Sequence, residues 1–107
     1  MPSRTLTAQS LRAGTEDLGQ STLSLRRDDP EPGVPGTMSW RFRGQAQMPP
    51  EPLPHHVQLT ATLADGREVT GRGFLSWHEI ETRRGLMVSY TYEGTGTLDG
   101  LTDEDYG

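Results

Sequence analysis

Cysteine is absent from the 107 residues, which excludes disulfides, thiolate metal sites and a cysteine nucleophile. Lysine is absent too, since all ten basic residues are arginine. Codon usage in a GC-rich host explains that bias; the functional alternative is selection for the bidentate, stacking contacts of guanidinium groups at interfaces. Large hydrophobic residues are scarce. Only 31% of the chain is hydrophobic, against roughly 45–50%, glycine included, in an ordinary soluble domain. So small a core can barely wall off a deep catalytic cleft. No apolar run approaches the roughly 18 residues of a membrane span. The N-terminal MPSRTLTAQS lacks the apolar core of a signal peptide. The expectation is a soluble chain, cytoplasmic in its host, with no membrane contact. No helical-period segment exceeds a turn or two, and there are no internal repeats.

What is abundant is turn chemistry. The chain holds 13 glycines, 8 prolines and 13 threonines. That composition predicts an all-β fold, a small single-domain antiparallel barrel or sandwich of about six strands. The net charge of -5 is uneven. Residues 1–43 carry six Arg and five acids, and residues 44–107 carry four Arg and ten acids. A basic nucleic-acid footprint is therefore missing, and no direct nucleic-acid contact is expected. Asp99, Asp103, Glu104 and Asp105 make an acidic tail over 99–107. Such a tail is either a solvated end or a dock for a basic partner.

Period-two patterning locates the strands. Met38, Trp40, Phe42, Gly44, Ala46 and Met48 alternate with Ser39, Arg41, Arg43, Gln45 and Gln47. One long strand over 37–48 with a dry face and an Arg-bearing face follows. Val57, Leu59, Ala61 and Leu63 mark a second strand, which runs into a hairpin at Asp65-Gly66. The next strand starts at Glu68 and places Val69, Gly71, Gly73, Leu75 and Trp77 on one face and Phe74 on the other. Glycines at 71 and 73 signal a bend or a close backbone approach. A parity slip before Ile80 predicts a bulge near His78-Glu79. Thr82–Gly85 reads as a second hairpin loop, with Gly85 left-handed. Leu86, Val88, Tyr90 and Tyr92 continue the pattern through Gly94 and Gly96 to Leu98. Residues 57–98 are thus a C-terminal three-stranded meander. Upstream, Ser21–Arg27 is a strand with Leu23 and Leu25 inward, and Leu6–Leu11 a weaker one. Gly14–Gly19 reads as a turn, with Thr15 capping a short helical piece. The organisation expected is an N-terminal arm or weak first strand (1–19), a β-domain (20–98) and the acidic tail. The expected core comprises Leu23, Met38, Trp40, Phe42, Val57, Leu59, Leu63, Val69, Leu75, Leu86, Val88 and Tyr90, with Trp77 packed inside as well.

No motif names a reaction. His55 and His56 are adjacent and point to opposite sides of an extended chain. A metal site from His78, Glu81 and one of that pair has no ligand spacing to specify it. Glu79 and Glu81 share a strand face at a separation that suits paired acid/base carboxylates, but no nucleophile or oxyanion loop accompanies them. Walker, dinucleotide and calcium-loop patterns are missing. The expectation is a protein that is not an enzyme and carries no cofactor or metal. Pro49, Pro50 and Pro52 form a polyproline-type connection with one PxxP spacing, the register read by aromatic grooves. Arg41 and Arg43 share a strand face. The candidate interaction residues are therefore Arg41, Arg43, Pro49, Pro50, Pro52, Asp103, Glu104 and Asp105.

Tyr92-Glu93-Gly94-Thr95-Gly96-Thr97-Leu98 resembles the closing strands of phage tail-tube proteins. The resemblance covers seven residues and assigns no family; it implies a virion or tail-like assembly subunit. Two function classes are expected. The first is a structural or interaction protein that docks on copies of itself or on other subunits of a larger assembly. The second is a binding module, either a barrel for a small ligand or an acidic modulator of a nucleic-acid-binding protein.

Overall fold

A computed structural model describes residues 3–28, 32–33, 37–47, 53–81 and 87–102. They contain six strands: β1 (Ser3–Ala13), β2 (Glu16–Asp28), β3 (Thr37–Gln47), β4 (His56–Leu63), β5 (Glu68–Glu81) and β6 (Met87–Thr95). All neighbours pair antiparallel, in the order β1-β2-β3-β6-β5-β4, and β4 closes on β1. The fold is a closed barrel, not a sandwich. It consists of two three-stranded meanders, β1–β3 and β4–β6, joined where β3 lies beside β6 and β1 beside β4.

Alternation follows from that closure, because each strand keeps one face inside the ring. Leu23 and Leu25, Trp40 and Phe42, Leu59, Ala61 and Leu63, and Val88, Tyr90 and Tyr92 are all buried. Met38, Val57 and Leu75 pack partly buried against them, and Leu86 lies outside the described residues. Leu53 and Leu98 add buried side chains from just outside the strands.

The close approach signalled by Gly71 and Gly73 is a seat for Trp40. A Cβ at Gly73 would stand 2.5 Å from the Trp40 ring, and one at Gly94 would overlap it. At Gly71 a Cβ would meet the same ring at 3.1 Å. Three strand positions thus forgo a side chain so that one indole can fill the ring. Burying it is worth several kcal/mol in a fold whose whole stability is about 5–15 kcal/mol.

Several local expectations are revised. Residues 3–13 form β1, hydrogen-bonded to β2 on one edge and β4 on the other. Of the two readings of the N-terminal segment, arm or first strand, it is the strand that forms, and it belongs to the ring. No helical piece follows Gly14. Gly14 (φ +63°) and Thr15 make a two-residue hairpin, with glycine at the first central position as a type II′ turn demands. At Asp65-Gly66 only Gly66 is left-handed (φ +93°). Leu63 N donates to Arg67 O at 2.8 Å, so the loop has three residues, Ala64 to Gly66. Asp65 contributes through its carboxylate, which accepts from Arg67 N and Nε at 3.0 and 2.8 Å. After β6 the chain leaves the ladder, and Asp99 bridges Thr70 on β5.

The bulge in β5 also lies earlier than the parity slip suggested. Leu75 faces Tyr92 and Trp77 faces Thr91, so the extra residue is Ser76 rather than His78 or Glu79. Its hydroxyl donates to the Thr91 carbonyl at 3.2 Å. This shift decides where Trp77 points.

Candidate functional site

β4 begins only after Pro54, which has no N–H for a ladder. It pairs with β5 from Glu68 to Phe74. The last link is Leu75 N donating to the His55 carbonyl at 2.7 Å. From Ser76 to Glu81 β5 is paired with β6 on one side, and among the described residues no strand pairs with its other edge.

The Ser76 bulge carries Trp77 to the outer face of the barrel, alongside Phe74. The expectation that Trp77 packs in the core is therefore wrong: it is 50% exposed, whereas Trp40 is 2% exposed. Phe74 and Ile80 are exposed at 40% and 49%. The chain has two tryptophans and two phenylalanines. One of each fills the core, and the other of each stands on β5 in contact with water. Ile80 lies opposite buried Val88 on the inner parity, so β5 offers apolar groups on both faces of its free end.

Across the outer face the register builds two rows. One runs Ser24, Arg41, Glu93, Phe74; the next runs Thr22, Arg43, Thr91, Trp77. Arg41 Nε and Nη2 each contact Glu93 Oε2 at 3.2 Å. Gln45 donates to the Ser89 hydroxyl at 3.0 Å further along. The two arginines singled out from sequence thus share their face with the two exposed aromatics. Glu68, Glu79, Glu81 and Glu93 stand on the same face of the strands as Arg26, Arg41, Arg43 and Arg72. Pro49, Pro50, Pro52, Asp103, Glu104 and Asp105 lie outside the described residues.

His55 and His78 meet edge to face with ring centroids 6.4 Å apart. Among the described residues no group of three or more His, Asp or Glu is placed to hold a metal ion. No helix of the described chain is long and apolar enough to cross a membrane. Glu79 and Glu81 lie opposite Ser89 and Met87 on the outer face, and neither lines the outer-wall cavity.

A cavity of about 290 Å³ opens on the outer wall, with Ser24, Arg26, Arg41, Phe74 and Glu93 among its lining residues and apolar Leu25 and Trp40 beside them. The barrel interior holds the buried core side chains, Trp40, Phe42, Tyr90 and Tyr92 among them. No family model, curated protein or solved structure matches the chain. Sequence reasoning missed Phe74, Trp77, Ile80 and Glu93. The available signal was β5 itself, where both strand faces carry an aromatic within four residues.

Proposed function

We propose that the protein is a non-enzymatic interaction module that takes its place in a larger assembly by docking a partner protein on the free end of β5. One observation carries this reading: Trp77 and Ile80 stand half-exposed on a strand whose edge has no strand partner among the described residues. Apolar surface left in water forgoes about 25 cal/mol per Å². A partner strand added at this edge would cover both side chains and extend the sheet by backbone hydrogen bonds. Charge selects among partners. Two β5 edges paired with each other would set Glu79 and Glu81 of one copy beside those of the other. An extended segment bearing arginine or lysine meets those carboxylates instead, so the partner is a basic segment of another protein. The resemblance over Tyr92–Leu98 implies a phage virion or tail-like assembly, one setting for such a subunit.

Aromatic and Arg side chains on one sheet face are also how small barrels hold single-stranded nucleic acid. Four carboxylates, Glu68, Glu79, Glu81 and Glu93, offset the four arginines of this face, which argues against a positive track for phosphates.

The test uses the full chain and two synthetic peptides, one alternating arginine with valine and one alternating glutamate with valine. Binding is read by isothermal titration calorimetry, whose signal does not depend on Trp77. The basic peptide should bind and the acidic one should not, and Trp77→Ser with Ile80→Ser should abolish the difference. Equal binding of both peptides, or binding indifferent to those substitutions, refutes the proposal.

A further inference from the structure

We infer that the outer-wall cavity is a binding site for a neutral polyhydroxylated ligand, a single sugar ring or the end of a short oligosaccharide. It is separate from the docking edge, and only Phe74 borders both.

The concavity has a simple origin. β5 and β6 stay paired up to Phe74 and Glu93, and there β6 parts from β5. Gly94 and Thr95 continue along β3 instead, opposite Trp40 and Ser39. On the outer face the row Ser24, Arg41, Glu93, Phe74 lies beside a row of Arg26, Ser39 and Thr95, and small and large side chains alternate between them. Ser24, Ser39 and Thr95 keep the floor low, while Arg26, Arg41, Glu93 and Phe74 stand around it. The resulting volume of about 290 Å³ lies at the small end of the roughly 300–1,000 Å³ typical of ligand sites.

The chemistry of the walls narrows the ligand. Arg41 and Glu93 are ion-paired at 3.2 Å, with side chains 52% and 30% exposed. Their charges cancel, so the pair offers a ligand hydrogen bonds without net charge. Carboxylate oxygens accept and guanidinium N–H groups donate, side by side. Vicinal hydroxyls of a sugar ring, each both donor and acceptor, match that pairing. Ser24, Ser39 and Thr95 add three more hydroxyls that can donate or accept. Phe74 supplies a flat apolar wall for the C–H face of a sugar ring. The His56 ring stands beside it, with centroids 6.3 Å apart and planes tilted by 40°.

Other ligand classes fit less well. A phosphate or carboxylate, though drawn by Arg26 and Arg41, would meet the Glu93 carboxylate in the same cavity. A wholly apolar ligand would strip water from three hydroxyls and an ion pair without replacing their hydrogen bonds.

The experiment titrates the full chain by calorimetry and saturation-transfer NMR. The probes are methyl glycosides of glucose, galactose, mannose and N-acetylglucosamine, with glucuronate and inorganic phosphate as anionic controls. At least one neutral glycoside should bind with a Kd of about 1 mM or below. Phe74→Ala and Glu93→Gln should each weaken it at least tenfold, and Trp77→Ser should leave it unchanged. Circular dichroism confirms that each variant is folded. Should Phe74→Ala fail to fold, Ser39→Leu fills the cavity floor and must have the same effect. The inference is overturned if no glycoside binds. It is equally overturned if phosphate or glucuronate binds in preference and Glu93→Gln tightens it, or if binding ignores the cavity variants.

Discussion

Replacing Gly94 with alanine sets two physical effects against each other, and the sign of the result decides between them. Gly94 lies in β6 outside the left-handed region, so its backbone accepts any residue. On backbone grounds alone, Gly→Ala stabilises by about 0.4–1 kcal/mol through the unfolded chain. Packing argues the reverse. The added methyl would overlap the Trp40 ring, standing 2.7 Å from Cε2 and 3.0 Å from Cη2. Favourable carbon contacts lie at about 3.5–4.0 Å. Gly71 and Gly73 approach the same ring atoms, Cζ2, Cε2 and Cη2, so three glycines confine the indole. Overpacking of this kind costs about 1–3 kcal/mol, and the confinement places Gly94→Ala near the upper end, about 2 kcal/mol net. Urea titration should show a lower midpoint with an unchanged slope. Trp40→Phe removes the second ring, so Gly94→Ala in that background should cost less than about 0.5 kcal/mol. The coupling in the double-mutant cycle should then exceed about 1 kcal/mol. A neutral or stabilising Gly94→Ala, or an equal cost in both backgrounds, would refute the glycine seat.

The two buried tyrosines should respond in opposite directions to loss of the hydroxyl. Tyr92 donates to the Pro54 carbonyl at 2.8 Å, so Tyr92→Phe should cost about 1 kcal/mol. Tyr90 Oη is buried with no partner of hydrogen-bonding geometry among the described residues, so Tyr90→Phe should be neutral or stabilising in the same thermal melt. Burial, and secondly the neighbouring Tyr90, push the Tyr92 hydroxyl from 10.0 up to about 12. A raised folded-state value means that ionisation favours the unfolded chain. The contribution is intact below pH 10 and lost as the pH rises towards 12; denaturant midpoints across that window should fall, and more gently in Tyr92→Phe. In quenching by acrylamide, Trp77 should supply the accessible emission and Trp40 the protected part, so Trp77→Phe should leave only protected fluorescence. Gly66→Ala should cost about 1–2 kcal/mol, because the position is left-handed at φ +93° with open space around it; an equal loss in Asp65→Asn would show that the carboxylate, not the backbone, holds the turn.

Alternation is a local property, and wherever it ran unbroken the sequence by itself determined the strand and its inward face. Trp40 and Phe42, Leu59 and Leu63, and Val88 and Tyr90 are buried as their parity requires. The all-β class and the β4–β5–β6 meander follow from the same pattern and from the Asp65-Gly66 turn. Closure was beyond its reach, since nothing in Ser3–Ala13 states that β1 has β4 as its second neighbour. Ring order depends on contacts between residues some fifty positions apart. The same limit explains Trp77. A bulge is set by the register of the opposite strand, and moving it from His78-Glu79 to Ser76 turns Trp77 from core to surface. The exposed aromatic face that follows, with Arg41 and Arg43 beside it, exists only once β3, β6 and β5 lie side by side. Glycines 71, 73 and 94 could be read as a close approach, but only the folded barrel shows that what approaches them is Trp40.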